Sequence, residues 1–166
     1  MMNEDMQSLE DGALHRFADW PIRTMPIVAA GVYTIWDAER FLYVGIGGHG
    51  KTEEVLDKER RDRPVWKVSA LFGLADRLNS HASGRRSGDQ FCIYVCDRLV
   101  LPVLTPAQIR EVGSGKLSLD DETKTYIKSH LTFRFIEAAS GKKASAIERE
   151  IQAGALEVGR PFLNPK

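Results

Sequence analysis

Residues Gly31–Gly48 read GVYTIWDAERFLYVGIGG, and this stretch decides the fold. Val32, Thr34 and Trp36 alternate with Tyr33, Ile35 and Asp37, which is the period of a strand. Asp37-Ala38-Glu39-Arg40 supplies polar turn residues, and Phe41-Leu42-Tyr43-Val44 resumes a β-rich run. The stretch is a β-hairpin. Two tyrosines mark it, Tyr33 and Tyr43, each close to a glycine and with nine residues between them.

Around the hairpin, the 166-residue chain is long enough for a single domain over 1–166 with a real core. A content of 43% hydrophobic and 28% charged residues is that of an ordinary globular protein. Lys plus Arg and Asp plus Glu each number 23, so the net charge is zero. That excludes a global positive field as the means of capturing a polyanion, and any such site has to be a local patch. The N-terminal run MMNEDMQSLEDGALHRFADW carries acids where a secretory signal carries bases, and it has no apolar centre. No run reaches the ~18 apolar residues of a membrane span. The expectation is a cytoplasmic protein with no membrane partner.

Upstream of the hairpin, within a peripheral N-terminal segment 1–25, residues 4–20 space Leu9, Leu14, Phe17 and Trp20 as an acidic helix ending before Pro21. Downstream, 50–70 is an insertion in which Lys51, Lys58, Arg60, Arg61, Arg63 and Lys67 interleave with Glu53, Glu54, Asp57, Glu59 and Asp62. This is the pattern of a solvated helix laced with i,i+4 pairs. A phosphate-contacting role for Arg60, Arg61 and Arg63 is the alternative, and the interleaved acids weigh against it. Leu71, Leu74, Ala75 and Leu78 then form a helical stripe that stops near Gly84. Arg77 and His81, four apart, stack on one face of that helix, which they share with Leu74 and Leu78. Such a face belongs at a boundary between core and cleft.

Gln90–Leu101 (QFCIYVCDRLVL) is rich in Phe, Ile, Tyr and Val and reads as a strand. On a strand, Cys92 and Cys96 stand ~13 Å apart at ~3.3 Å per residue, too far to bridge, so they read as buried thiols in a reducing compartment. Residues 102–130 form a second insertion, with a helix at TPAQIREV and another beginning at LDDETKTYIKSHL. Leu131–Ala138 alternates as a further strand, and Ser140–Lys143 turns the chain into a last helix, ASAIEREIQAGALEV. The fold class is α+β: a small central, mainly antiparallel sheet flanked by helices.

Common site types are missing. There is no CxxC or HExxH pattern, no GxSxG elbow and no Walker loop, and His15, His49, His81 and His130 are too scattered for zinc spacing. What remains is a set of elements in order: Gly31-Val32-Tyr33, Tyr43-Val44-Gly45, Arg77-Leu78-Asn79-Ser80-His81, Ile147-Glu148-Arg149-Glu150-Ile151, and Pro161-Phe162-Leu163-Asn164. The series resembles the GIY-YIG nuclease superfamily, with GVY and YVG as conservative variants of its two triads. The chain departs from the family core in the insertions 50–70 and 102–130. Glu150 rivals Glu148 for the family's glutamate. At about 100° per residue Glu148 lies at the edge of the stripe Ala144, Ile147, Ile151, while Glu150 turns toward solvent, so Glu148 is chosen.

The resemblance implies a GIY-YIG-like fold and a metal-dependent endonuclease acting on nucleic acid, DNA rather than RNA. Its site is Tyr33, Tyr43, Arg77, His81, Glu148 and Asn164. Glu148 is the ligand of one Mg²⁺ or Mn²⁺ completed by waters. Arg77 steadies the phosphate, and Tyr33 with Tyr43 orients and deprotonates the water. Lowering a tyrosine pKa from about 10 by ~3 units takes roughly 4 kcal/mol, so His81, titrating near ~6.5, is the alternative acceptor through a tyrosine. Asn164 would hold a tyrosine or a backbone group. Arg85, Arg86, Lys142 and Lys143 are candidate phosphate contacts. The rival expectation is a catalytically weak or inactive module of this fold that only binds nucleic acid or protein.

Overall fold

Antiparallel pairing around the Gly31–Gly48 hairpin builds the sheet that positions everything else. The computed structural model describes residues 3–165; Met1, Met2 and Lys166 of the expected span lie outside them. Along the chain come α1 (Glu4–Asp11), β1 (His15–Arg16), β2 (Val28–Asp37), β3 (Arg40–Gly47), α2 (Glu53–Asp62), β4 (Phe72–Gly73) and α3 (Leu74–Ala82). They are followed by α4 (Gln90–Val95), α5 (Pro106–Gly113), α6 (Leu119–His130), β5 (Leu131–Ala138) and α7 (Gly141–Gln152). The sheet order is β1-β5-β2-β3, antiparallel throughout, and β4 adds a short parallel pairing with the start of β2. The fold is α+β, with a mainly antiparallel sheet flanked by helices.

Central β2 is buried along all but its last residue. Tyr33 and Ile35 face a core with Leu74 and Leu78 of α3 and Phe91 and Cys92 of α4. Val32 and Trp36 face the opposite core, with Met6 and Leu9 of α1 and Ala144 and Ile151 of α7. The strand's alternation thus divides side chains between two apolar layers, not between core and water. Each large side chain removed from water in this way contributes about 1.5–3 kcal/mol. A two-residue loop closes the hairpin, with Ala38 at φ 50° between the paired Asp37 and Arg40.

The run Gln90–Leu101 is not a strand. Gln90–Val95 is helical, and the chain then widens by a turn in which the Leu101 N–H donates back to the Cys96 carbonyl. Asp89 starts it: its side chain accepts the Cys92 N–H, an N-cap bond of the usual kind. The apolar positions 91, 92, 95, 96, 99 and 100 follow helical spacing, and that period outweighs the β propensity of Phe, Ile, Tyr and Val. Cys92 and Cys96 therefore sit one helical turn apart, both buried and free.

Two other boundaries differ. The N-terminal helix stops at Asp11, because after Gly12 the chain runs extended and His15–Arg16 pairs with the free edge of β5. The last helix begins earlier and ends sooner than ASAIEREIQAGALEV: Ser140 caps it by accepting the Lys143 N–H, and it closes at Gln152. The 50–70 segment folds as the solvated helix expected of it. Arg60 pairs with Asp57 at 2.8 Å, Lys58 with Asp62 at 2.6 Å and Arg63 with Glu59 at 2.7 Å, and Leu56 is its one buried helical residue. In 102–130, Thr105 caps α5 in a reciprocal box with Gln108, and Ser118 caps α6.

Candidate active site

Tyr33 and Tyr43 reach one cleft because the hairpin register and two glycines allow it. Tyr33 pairs across the hairpin with Gly45, where a Cβ would collide with the Tyr33 hydroxyl. At Gly47 a Cβ would collide with the backbone of Leu74, so its absence lets the first turn of α3 lie against β3. This close seat carries Arg77 and Ser80 over the hairpin and puts His81, one turn beyond Arg77, beneath it. The Tyr33 and Tyr43 ring centres are 6.4 Å apart, and each ring meets the His81 imidazole edge-on.

Behind Tyr33 runs a buried hydrogen-bond chain. The Tyr33 hydroxyl lies 2.6 Å from His81 Nε2, and His81 Nδ1 lies 2.7 Å from Asp89 Oδ2. Tyr33 and His81 have no exposed surface, and Asp89 retains 3%. Burial lowers the His81 pKa, with Asp89 opposing, so the imidazole is neutral near pH 7. Burial alone would raise Asp89, but His81, the Cys92 N–H and Arg77 outweigh it and hold the carboxyl below its usual range. Burial pushes Tyr33 well above a normal tyrosine, with Tyr43 adding and Arg77 opposing, and it raises Tyr43 too. A standing tyrosinate base is therefore not what this site provides.

His81, Asp89 and Cys92 bring ligand-type atoms within 4.8 Å of one another. Those atoms are already engaged. Both imidazole nitrogens have partners, the Cys92 thiol donates to the His81 carbonyl at 3.5 Å, and burial raises that thiol's pKa strongly, keeping it protonated. The cluster is a hydrogen-bond chain.

In front of the tyrosines, a cleft of about 530 Å³ is lined by Tyr33, Tyr43, Arg77 and Glu148, with Gly45–His49, Lys51, Asp76 and Ser80 around them. Arg77 shares the cleft lining with both tyrosines and makes no hydrogen bond to either oxygen; burial works against its charge, and Tyr33 and Asp89 more than restore it. Glu148 is half-buried on α7, whereas Glu150 is exposed. Burial raises the Glu148 pKa, only partly offset by His49, Arg77 and Arg149. Glu148 has no ion-pair partner among the described residues. Compared with protein-family models, curated proteins and solved structures, the chain matches none.

Asn164 stands outside the cleft. Its Oδ1 accepts the Val44 N–H at 2.9 Å and its Nδ2 donates to the Val44 carbonyl at 3.0 Å, clamping β3 beside Tyr43. Of the candidate phosphate contacts, Lys142 lines a neighbouring groove of about 670 Å³ with Lys51, His49 and Arg149. Lys143 and Arg85 are exposed, and Arg85 borders a separate shallow depression. Arg86 is held by Asp120 at 2.7 Å. Asp89, His49 and Lys51 were not singled out from the sequence. For Asp89 a signal exists: Gly88-Asp89 immediately precedes the helical spacing that starts at Phe91.

Proposed function

We propose that this chain is a metal-dependent endonuclease that hydrolyses phosphodiester bonds in nucleic acid, after the manner of the GIY-YIG nucleases it resembles. One observation carries the reading: Tyr33, Tyr43, Arg77 and Glu148, from four different elements, line a single cleft. The resemblance favours DNA over RNA. Free, buried thiols at Cys92 and Cys96 suit the reducing cytoplasm. Among the described residues no helix is long and apolar enough to cross a membrane.

The donor set fits one hard divalent cation. Glu148 is the half-buried carboxylate of a cleft roomy enough for water and phosphate oxygens, and it has no ion-pair partner among the described residues; Asp76, the other carboxylate of the lining, is exposed. Mg²⁺ or Mn²⁺ held by Glu148 supplies neutralising charge to the phosphate. The side chains do the rest. Arg77 donates to nonbridging oxygens, where charge grows in the transition state. Tyr43, less buried than Tyr33, orients the water. As the water oxygen bonds to phosphorus and the bond to the departing sugar oxygen breaks, the water proton passes to Tyr33 while Tyr33 passes its own to His81 Nε2. The departing oxygen takes a proton from solvent. This route avoids the raised tyrosine pKa, because no tyrosinate accumulates. Asn164 keeps Tyr43 in register through Val44.

A module that binds without cutting is the second reading. It is favoured by the zero net charge and by the ion pairs that occupy Arg16, Lys58, Arg60, Arg63 and Arg86. Incubating wild type and Glu148→Gln with plasmid, single-stranded DNA and RNA, in Mg²⁺, Mn²⁺ or EDTA, separates the two. Metal-dependent cleavage lost in the variant supports the nuclease. Binding with no cleavage under any metal supports the module.

A further inference from the structure

We propose that Asp89 is a positioning residue: it fixes His81 as the tautomer protonated on Nδ1, so that bare Nε2 receives the Tyr33 proton. The catalytic consequence rests on the nuclease reading above; the tautomer rests on geometry alone.

Asp89 uses its two oxygens differently. Oδ1 accepts the Cys92 N–H at 3.3 Å and caps α4, while Oδ2 lies 2.7 Å from His81 Nδ1. An ionised carboxylate only accepts, so the hydrogen between them is on Nδ1. Nε2 is then a bare acceptor, and the Tyr33 hydroxyl at 2.6 Å donates to it. The opposite tautomer would aim an Nε2–H at the Tyr33 oxygen and leave bare Nδ1 facing Asp89 Oδ2, two acceptors 2.7 Å apart with no hydrogen between them. Every buried side-chain nitrogen and oxygen among the described residues has a partner, and only the Nδ1–H tautomer keeps that true here.

The groups facing His81 are Asp89 and Cys92 from the α4 end, Tyr33 from β2, Tyr43 from β3 and Arg77 from its own helix. Of these, only Asp89 is an anion in the resting site. When Tyr33 gains a proton from water and loses its own, its O–H bond breaks and an N–H bond forms at Nε2. The resulting imidazolium lies against Asp89, which stays ionised. The helix that supplies this anchor is thus tied to the hairpin through one buried chain.

Nitrogen-15 spectra of the histidine-labelled, metal-free protein near pH 7.5 test the assignment without any variant or substrate. His81 is expected with a protonated Nδ1 and a bare Nε2; a protonated Nε2 in the wild type overturns the proposal. Asp89→Asn keeps a side-chain oxygen for the Cys92 N–H but turns an amide donor toward Nδ1. The expected outcome is a reversed tautomer, unchanged nucleic-acid affinity and a cleavage rate lowered about 10²- to 10⁴-fold. The acid limb of its pH–rate profile moves to lower pH, because the anion that favours imidazolium is gone. A variant that keeps the wild-type tautomer, or loses rate with no tautomer reversal and no movement of the limb, refutes the positioning role. If wild type fails to cleave at all, the nuclease reading falls, while the wild-type spectrum still decides what Asp89 does to His81.

Discussion

The Tyr33 hydroxyl and Gly45 face each other across the hairpin so closely that a methyl group on Gly45 would collide with the oxygen and lie 2.6 Å from the ring carbon Cζ. The ring has no easy retreat, since the hydroxyl is bonded to His81 and the side chain is fully buried. Gly45→Ala is therefore expected to cost about 1–3 kcal/mol of stability through overpacking. It also separates Tyr33 from His81 and lowers cleavage. Chemical denaturation and cleavage assays on one preparation check both effects, and an unchanged variant would show that the ring moves freely.

Acidification should destabilise the protein from the neutral side. His81 is neutral in the fold because burial lowers its pKa, while in the unfolded chain it titrates near ~6.5. The unfolded state therefore takes up the proton first, and stability falls as pH drops below ~6.5. His15, also lowered by burial, contributes with the same sign. Asp89, held low in the fold, adds a second loss at more acid pH, below the ordinary carboxylate range. Denaturation midpoints between pH 4 and 8 should show the upper slope reduced in His81→Gln and again in His15→Gln. A flat profile in wild type would contradict neutral burial of His81.

The hairpin was readable because alternation and turn chemistry act within a few residues, and Arg77 with His81 because a spacing of four is local to one helix. Glu148 over Glu150 could be chosen from the same helical geometry. Gln90–Leu101 was misread because its composition favours strands, and the deciding influences are an Asp89 cap and a period that strand-like residues disguise. Asp89 itself was not legible as part of the site, because its role depends on the chain folding back after Gly84 to bring α4 against His81. The segregation of arginines was likewise hidden: nothing near Arg86 in sequence announces Asp120, on another helix.

Glu148→Gln should separate stability from activity. The carboxylate is half-buried without a cation partner, and burial already disfavours its charge. Removing that charge is expected to leave stability unchanged or raise it by up to about 1 kcal/mol. Metal-dependent cleavage should fall at least about a hundredfold, and calorimetric titration with Mn²⁺ should lose its signal. A destabilised variant that still cleaves would remove Glu148 from the site.

Asn164 acts through the backbone, so its loss should be felt in stability as well as rate. Asn164→Ala deletes both bonds to Val44 and leaves its N–H and carbonyl to seek water beside Tyr43. The expected cost is about 1–3 kcal/mol in urea unfolding, with cleavage reduced but not abolished. Asn164→Asp should fail to rescue, because it keeps the acceptor for the Val44 N–H and sets a second oxygen against the Val44 carbonyl.

Nucleic acid should be held by the cations left without carboxylate partners. Lys51, Lys142 and Arg149 have no ion-pair partner among the described residues and share one groove, and the groove and the cleft have His49 and Lys51 in common. Arg86 is engaged by Asp120, and Arg60 and Arg63 by their own helix. In fluorescence anisotropy with a duplex probe, Lys51→Ala, Lys142→Ala and Arg149→Ala should each weaken binding and lower the salt slope by about 1. Arg86→Ala should instead leave the slope unchanged and cost no more than about 1 kcal/mol of stability, the worth of an exposed pair. The reverse result, a slope lost with Arg86 and kept without Lys142, would move the bound strand to the other side of α3.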